Sequence, residues 1–292
     1  MTGDNEKKYD PLTVRDSSSG KEYYGGDQEW YRSNTRAYAG CGSVACANML
    51  RILADRYPDA FLREGVDAEL KRLTGETLEK SDFVELMSSI YRTMPVLELP
   101  LIRSLYDLCK RSNKVFKKIV RPSYGMSING FIRGSLKYSD MRGLKLHAHS
   151  LPTVFCPYEK GLDFIREGLD KGGCVVMLTS LNHHPLRLYN AKAGQLEGGY
   201  DSKGVRSHFM TITGLVDEPE GSPLVKITTW GRVATVPYDK LNRSWQKMRA
   251  FTSCLYYFTP AESEAIVRAD IRNSIFVLFK ALAHTVFHGK RT

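Results

Sequence analysis

The feature that most constrains this chain is a change of texture partway along it. The first half carries apolar residues at helical spacing; the second carries short, β-branched, turn-bounded runs. In the first half Ala45, Met49, Leu50 and Leu53 recur at helical intervals from Cys41 to Tyr57, with Pro58 closing the run. Further helical patterns cover about 59–73, 80–93 and 99–119, and Ser81-Asp82 gives the second a capping signal. Strand patterns follow at 144–149, 173–179, 209–216, 224–230 and 232–236, with a helical stretch at 159–171 among them. Asp217–Pro223 reads as a hairpin loop. Helices first and strands afterwards predict an α+β fold, because a βαβ alternation would interleave them.

The length supports one sizeable core. A chain of 292 residues, 42% hydrophobic, can bury roughly three-quarters of its unfolded surface. No apolar run approaches the ~20 residues of a membrane span. The start, Met1-Thr-Gly-Asp-Asn-Glu-Lys-Lys, has no apolar stretch behind its charges, so no secretory signal is expected. Six Cys, at 41, 46, 109, 156, 174 and 254, form no CxxC pair and read as free thiols of a cytoplasmic protein. Residues 1–26, polar with Asp16-Ser-Ser-Ser-Gly20 and Gly25-Gly26, are expected to be a flexible arm. A single domain is expected over 27–258. A C-terminal helix is expected over 259–292, started by Thr259-Pro-Ala-Glu, with an apolar face able to pack on the chain or on a second copy as a homodimer.

The net charge of +10 is concentrated. Between Arg103 and Lys145 eleven Lys or Arg face only Asp107 and Asp140, a local balance of +9. Such a segment is either a solvated basic face or a surface for an anionic partner such as nucleic acid.

The residues able to do chemistry begin at Gly40-Cys41-Gly42-Ser43. A Cys where a loop becomes a helix meets free N–H donors and the positive dipole end, which favour thiolate and predict a lowered Cys41 pKa. Cys46, among Ala45, Ala47 and Met49, reads as a buried small residue. A thiol nucleophile needs a base. His208, after Ser207 and opening the strand Phe209–Val216, stands at a strand mouth. An antiparallel partner strand ending Thr228-Thr229-Trp230-Gly231 would bring Thr228 and Trp230 beside it. As alternatives, His208 is a core or capping residue and Thr228 an ordinary β-branched strand residue. His147 and His149 share a strand face, His183-His184 lie in a loop, and His284 and His288 are a helical turn apart. None has Cys or carboxylate neighbours at ligand spacing, so no metal or cofactor is expected.

Taken together, Gly40-Cys41-Gly42-Ser43-Val44-Ala45-Cys46-Ala47-Asn48, Ser207-His208-Phe209 and Thr228-Thr229-Trp230-Gly231 resemble the papain-like cysteine peptidases. The likeness is strongest to the bacterial branch related to bacteriocin-processing (double-glycine leader) peptidases. The resemblance spans about residues 28–258. It implies a helical lobe with the Cys at a helix start, a β lobe with the His, and metal-free thiol-dependent acyl transfer on a peptide or protein substrate. Cys41 would be the nucleophile, His208 the base and Thr228 the orienting group, with Gly42 and Trp230 walling the substrate site. The sequence departs from the family twice. Thr228 stands where Asn or Asp is usual, and its hydroxyl cannot stabilise imidazolium as a carboxylate does. The family's oxyanion Gln has no counterpart six residues before Cys41, leaving Asn34 or Gln28 as the candidate amide. A catalytically silent binding module, an acyltransferase or amidase on the same fold, and an anion-binding protein using 103–145 are the competing functions.

Overall fold

The computed structural model describes residues 12–94, 96, 125–179, 186, 188–190, 205, 207–218, 221–246 and 253–261. Within them the chain is a mixed α+β protein built on two sheets. The small sheet holds β1 (Thr13–Asp16), β2 (Lys21–Tyr24) and β3 (Leu78–Glu79) in the order β2-β1-β3. The large sheet holds β4 (Leu146–Pro152), β5 (Val175–Thr179), β6 (Tyr189–Asn190), β7 (His208–Val216), β8 (Leu224–Thr229), β9 (Arg232–Pro237) and β10 (Cys254–Pro260). Its strand order is β4-β10-β5-β7-β8-β9-β6, with every pairing antiparallel.

Helices cover both faces of the large sheet. The alternation of β-strand side chains decides which residues meet which layer. Val176, Leu178, Tyr256 and Phe258 join one core with α2 (Cys41–Arg56), α5 (Lys80–Thr93) and α6 (Ile128–Asp140). Their neighbours Val175, Met177, Leu255 and Tyr257 face the other core, with α7 (Tyr158–Gly172) and α8 (Tyr238–Trp245). α2 is buried along its length from Gly42 to Ala54, as expected of a helix clasped between a sheet and other helices rather than lying on the surface. α7 buries one stripe, Gly161, Leu162, Ile165, Gly168 and Gly172. A Cβ on Gly168 would lie 2.4 Å from Val175 Cγ2, so the glycine is what lets α7 sit this close to β5.

Several expectations differ from the structure. The helix expected over 59–73 is cut into α3 (Pro58–Leu62) and α4 (Ala68–Lys71) with a 3-10 turn at Arg72–Thr74. Gly65, at φ 84°, breaks the helical path between them. The expected flexible arm is, from Leu12 onward, the β1–β2 hairpin. Leu12 and Val14 are buried in the core, and Asp16 binds Lys80 at 2.8 Å, contacts a composition reading cannot foresee. Thr259 and Pro260, expected to open a C-terminal helix, instead end β10, where Thr259 pairs with His147 and Pro260 with Leu146. The rest of that helix, the helix expected over 99–119 and residues 1–11 lie outside the described residues. α1 (Asn34–Ala39), α6, α8 and β10 have no counterpart among the patterns read from sequence.

Of the basic segment 103–145, only the part from 125 is described. There Arg142 pairs with Glu69 at 2.6 Å and Lys145 with Asp140 at 3.1 Å, while Arg133 and Lys137 are exposed. No helix among the described residues is long and apolar enough to cross a membrane.

Candidate active site

α1 ends and α2 begins at the same residue, Gly40. A Cβ there would lie 2.5 Å from both Arg36 O and Tyr31 Cε2, so no larger residue fits this junction. No side chain caps α2, which leaves its first N–H groups pointing at Cys41. Ser43 Oγ donates to Gly40 O at 2.8 Å, and Tyr31 Oη, 2.7 Å from that Oγ, donates to Met87 O. The helix start is thereby fastened to α5.

Cys41 is half-buried and unpaired. Its sulfur meets the backbone N–H groups of Phe209, Gly42 and Cys41 itself, which favour thiolate, but burial outweighs them and pushes the Cys41 pKa up. This reverses the lowered value expected from the helix start alone. Cys46 lies fully buried, as its neighbours suggested, and burial raises its thiol to about 12.

His208 opens β7 directly after Ser207, whose φ of 45° turns the chain into the strand. Ser207 and Trp230 are two of the few described non-glycine residues in the left-handed region, and both flank His208. Strained backbone of this kind persists only where surrounding structure imposes it, and it clusters at functional sites. Trp230 and Gly231, at φ 50° and 68°, form the two-residue turn joining β8 to β9, the pair of positive φ values a type I′ hairpin requires. The turn lays the Trp230 ring on the His208 imidazole, with centroids 4.6 Å apart and planes within 13°. Burial lowers the His208 pKa to about 4, so the ring is neutral at pH 7.

The hydroxyl on the imidazole is that of Thr229, 2.8 Å from Nε2. This corrects the placement expected of Thr228, whose Oγ1 donates to Tyr24 O at 2.6 Å and lies 3.3 Å from Arg232 O. The cause is register. Thr228 sits opposite Thr211 and Ile227 opposite Ile212, so Thr229 shares the His208 face of the ladder and Thr228 the other. A one-residue step exchanges the two faces.

Cys41, His208, Gln28, Asn48, Thr228, Thr229 and Trp230 line one cavity of about 10 Å³ between α2 and β7. That is room for roughly one water. The carbonyl Oε1 of Gln28 is buried there without a hydrogen-bond partner among the described residues. The structure thus brings the Gln28 amide to the cavity, whereas Asn34 stays buried in the first turn of α1, outside the lining. The side of Cys41 formed by Gly42, expected to border a substrate, is taken by Met126, whose Cε would be 2.9 Å from a Cβ on Gly42. Asn48 had no place in the sequence reading of the site. Its Oδ1 accepts the Gly26 N–H at 3.0 Å and its Nδ2 lies 3.5 Å from Thr211 Oγ1, joining α2 to the N-terminal hairpin and to β7. A polar residue between Val44 and Leu50, where α2 is otherwise small and apolar, was the available signal.

His149 stacks on Tyr257, centroids 4.3 Å apart, and no group of three or more His, Cys, Asp or Glu able to hold a metal occurs among the described residues. His183, His184, His284 and His288 lie outside them. Set against models of known protein families and against curated proteins, the chain matches none.

Proposed function

We propose that this chain is a papain-like, cysteine-dependent acyl-transfer enzyme that hydrolyses a peptide or amide bond and works in the cytoplasm. The observation that carries the reading is that Cys41, at an uncapped helix start, and a Thr229-bound, Trp230-covered His208 line one cavity. No hydrogen bond joins sulfur and imidazole, so the reaction requires the imidazole to turn toward the thiol. A nucleophile, a base and a group orienting the base are the minimum set for thiol acyl transfer.

The chemistry starts from a neutral pair, because burial disfavours both the thiolate and the imidazolium. As a carbonyl carbon approaches, His208 takes the Cys41 proton and the sulfur forms the C–S bond. The carbonyl electron pair moves to oxygen, which the Cys41 backbone N–H and the Gln28 amide receive. Collapse of this intermediate expels the amine, which takes the proton back from His208. Water then attacks the thioester with His208 as base, releasing the acid and restoring the thiol. A hydroxyl on Nε2 fixes the ring without adding negative charge, so the imidazolium intermediate is stabilised less here than beside a carboxylate. That same feature favours the second reading, a binding module on this fold without turnover.

The test combines a thiol-directed electrophile, read by intact mass and peptide mapping, with turnover of a mixed peptide library. A Cys41 adduct that forms ahead of those on the other described thiols and is lost in His208→Ala, together with cleavage lost in Cys41→Ala, is the expected result. The same labelling without any turnover favours the binding module. Labelling of Cys41 that ignores His208 ends both the enzyme reading and the role of the base.

A further inference from the structure

We propose that Thr228 is a positioning residue: its hydroxyl staples the N-terminal hairpin to the Trp230–Gly231 turn, and the stapled turn holds the Trp230 ring against His208. The inference rests on the reading of His208 as the base and explains what sets that base.

The turn is held from outside itself. Tyr24 N–H donates to Gly231 O at 2.9 Å, and Gly231 N–H donates to Gly26 O at 3.0 Å. Between these, Thr228 Oγ1, buried and 2.6 Å from Tyr24 O, closes a third link from the end of β8 to the end of β2. The hairpin can come this near because residue 25 is glycine: at φ 76°, a Cβ on Gly25 would lie 3.0 Å from Thr228 Oγ1 and 2.9 Å from Asn48 Oδ1. Gly231 in turn faces Tyr23 and Trp30, whose rings meet edge-on at 5.0 Å. The far end of the hairpin is pinned by Lys80, whose ammonium lies 5.3 Å and 5.4 Å over those two rings and 2.8 Å from Asp16.

These links matter because Trp230 holds a positive φ, a conformation that costs a bulky residue energy and relaxes unless surroundings impose it. Its ring is the stacking partner of the imidazole, so a turn that relaxes takes the stack with it. Residues 12–26 are, on this view, part of the catalytic apparatus although His208 bonds to Thr229 and stacks on Trp230 rather than on any of them. Thr228 contributes by binding the hairpin, while Thr229 contributes by binding the ring.

The readout is the position of the His208 ring-proton NMR signals, which the Trp230 ring displaces upfield while it is stacked. Thr228→Val keeps the shape and removes the hydroxyl. The expected result is a downfield move of the His208 signals and a fall in Cys41 alkylation of about tenfold to a hundredfold, the scale of a misplaced reacting group. Thr228→Ser restores both. Lys80→Met, distant from the site, moves the His208 signals in the same direction by less, and it carries the test if Thr228→Val does not fold. His208 signals unmoved in the folded Thr228→Val protein, or in Lys80→Met where only that variant folds, overturn the staple. Failure of the enzyme reading looks different: His208→Ala then alkylates at the wild-type rate whatever the ring signals do.

Discussion

Acidification should destabilise this protein through His208. The imidazole is buried and neutral, with its pKa lowered from 6.5 to about 4, whereas in the unfolded chain it regains the ordinary value. Between those two values the unfolded state binds more protons than the folded one, so stability is complete above pH 6.5 and falls as pH drops toward 4. At about 1.4 kcal/mol for each tenfold change in proton affinity, the whole window is worth about 3 kcal/mol. That is a large part of the 5–15 kcal/mol typical of a folded domain. Asp16 acts in a separate window. The Lys80 ammonium and the Ser18 hydroxyl hold its carboxyl well below the usual range, so its contribution is lost only below about pH 4. His149, also lowered by burial, works in the same direction as His208. Urea unfolding of wild type and His208→Phe at several values between pH 7 and 4.5 separates the two histidines, because His149 titrates in both proteins. The difference between the two unfolding free energies should shrink with acidification, most of it below pH 6. Parallel curves across the range would refute the argument, showing that His208 is protonated in the fold or is not buried.

Three further outcomes are expected. The rate of Cys41 alkylation should keep rising past pH 8.5, since burial raises its thiol above the ordinary value; a plateau reached by pH 6 in a stopped-flow profile would mean a preformed thiolate. Thr229→Val removes the hydroxyl on Nε2 and should slow Cys41 alkylation at pH 7 about fivefold, the worth of roughly 1 kcal/mol of hydrogen bonding, and an unchanged rate would assign the orientation of His208 to Trp230 alone. Leu50→Ala empties a fully buried position of α2 and should lower the unfolding free energy by about 2–5 kcal/mol in urea titrations, while a loss under 1 kcal/mol would show that α2 is less tightly enclosed than its burial indicates.

The sequence alone determined the features that are local. The run from Cys41 to Tyr57 folds as α2, Lys80–Thr93 as α5, and the β-branched runs as β5, β7, β8 and β9, because periodicity and turn chemistry act over neighbouring residues. It also singled out Cys41, His208, Gln28 and Trp230, which share a cavity in the fold. What only the tertiary structure decided depends on residues far apart in the chain. Whether Thr228 or Thr229 meets the imidazole follows from the register of β7 on β8, a cross-strand property that flips with a single step. Whether residues 12–26 hang free or form a strand pair depends on Lys80, Asn48 and Gly231, which supply their partners from 22 to more than 200 residues away. The ionisation of the site is likewise set by enclosure. A helix start predicts a ready thiolate, but the layers closed over α2 and β7 remove the solvent that would support the charge, and desolvation prevails over the helix N-terminus.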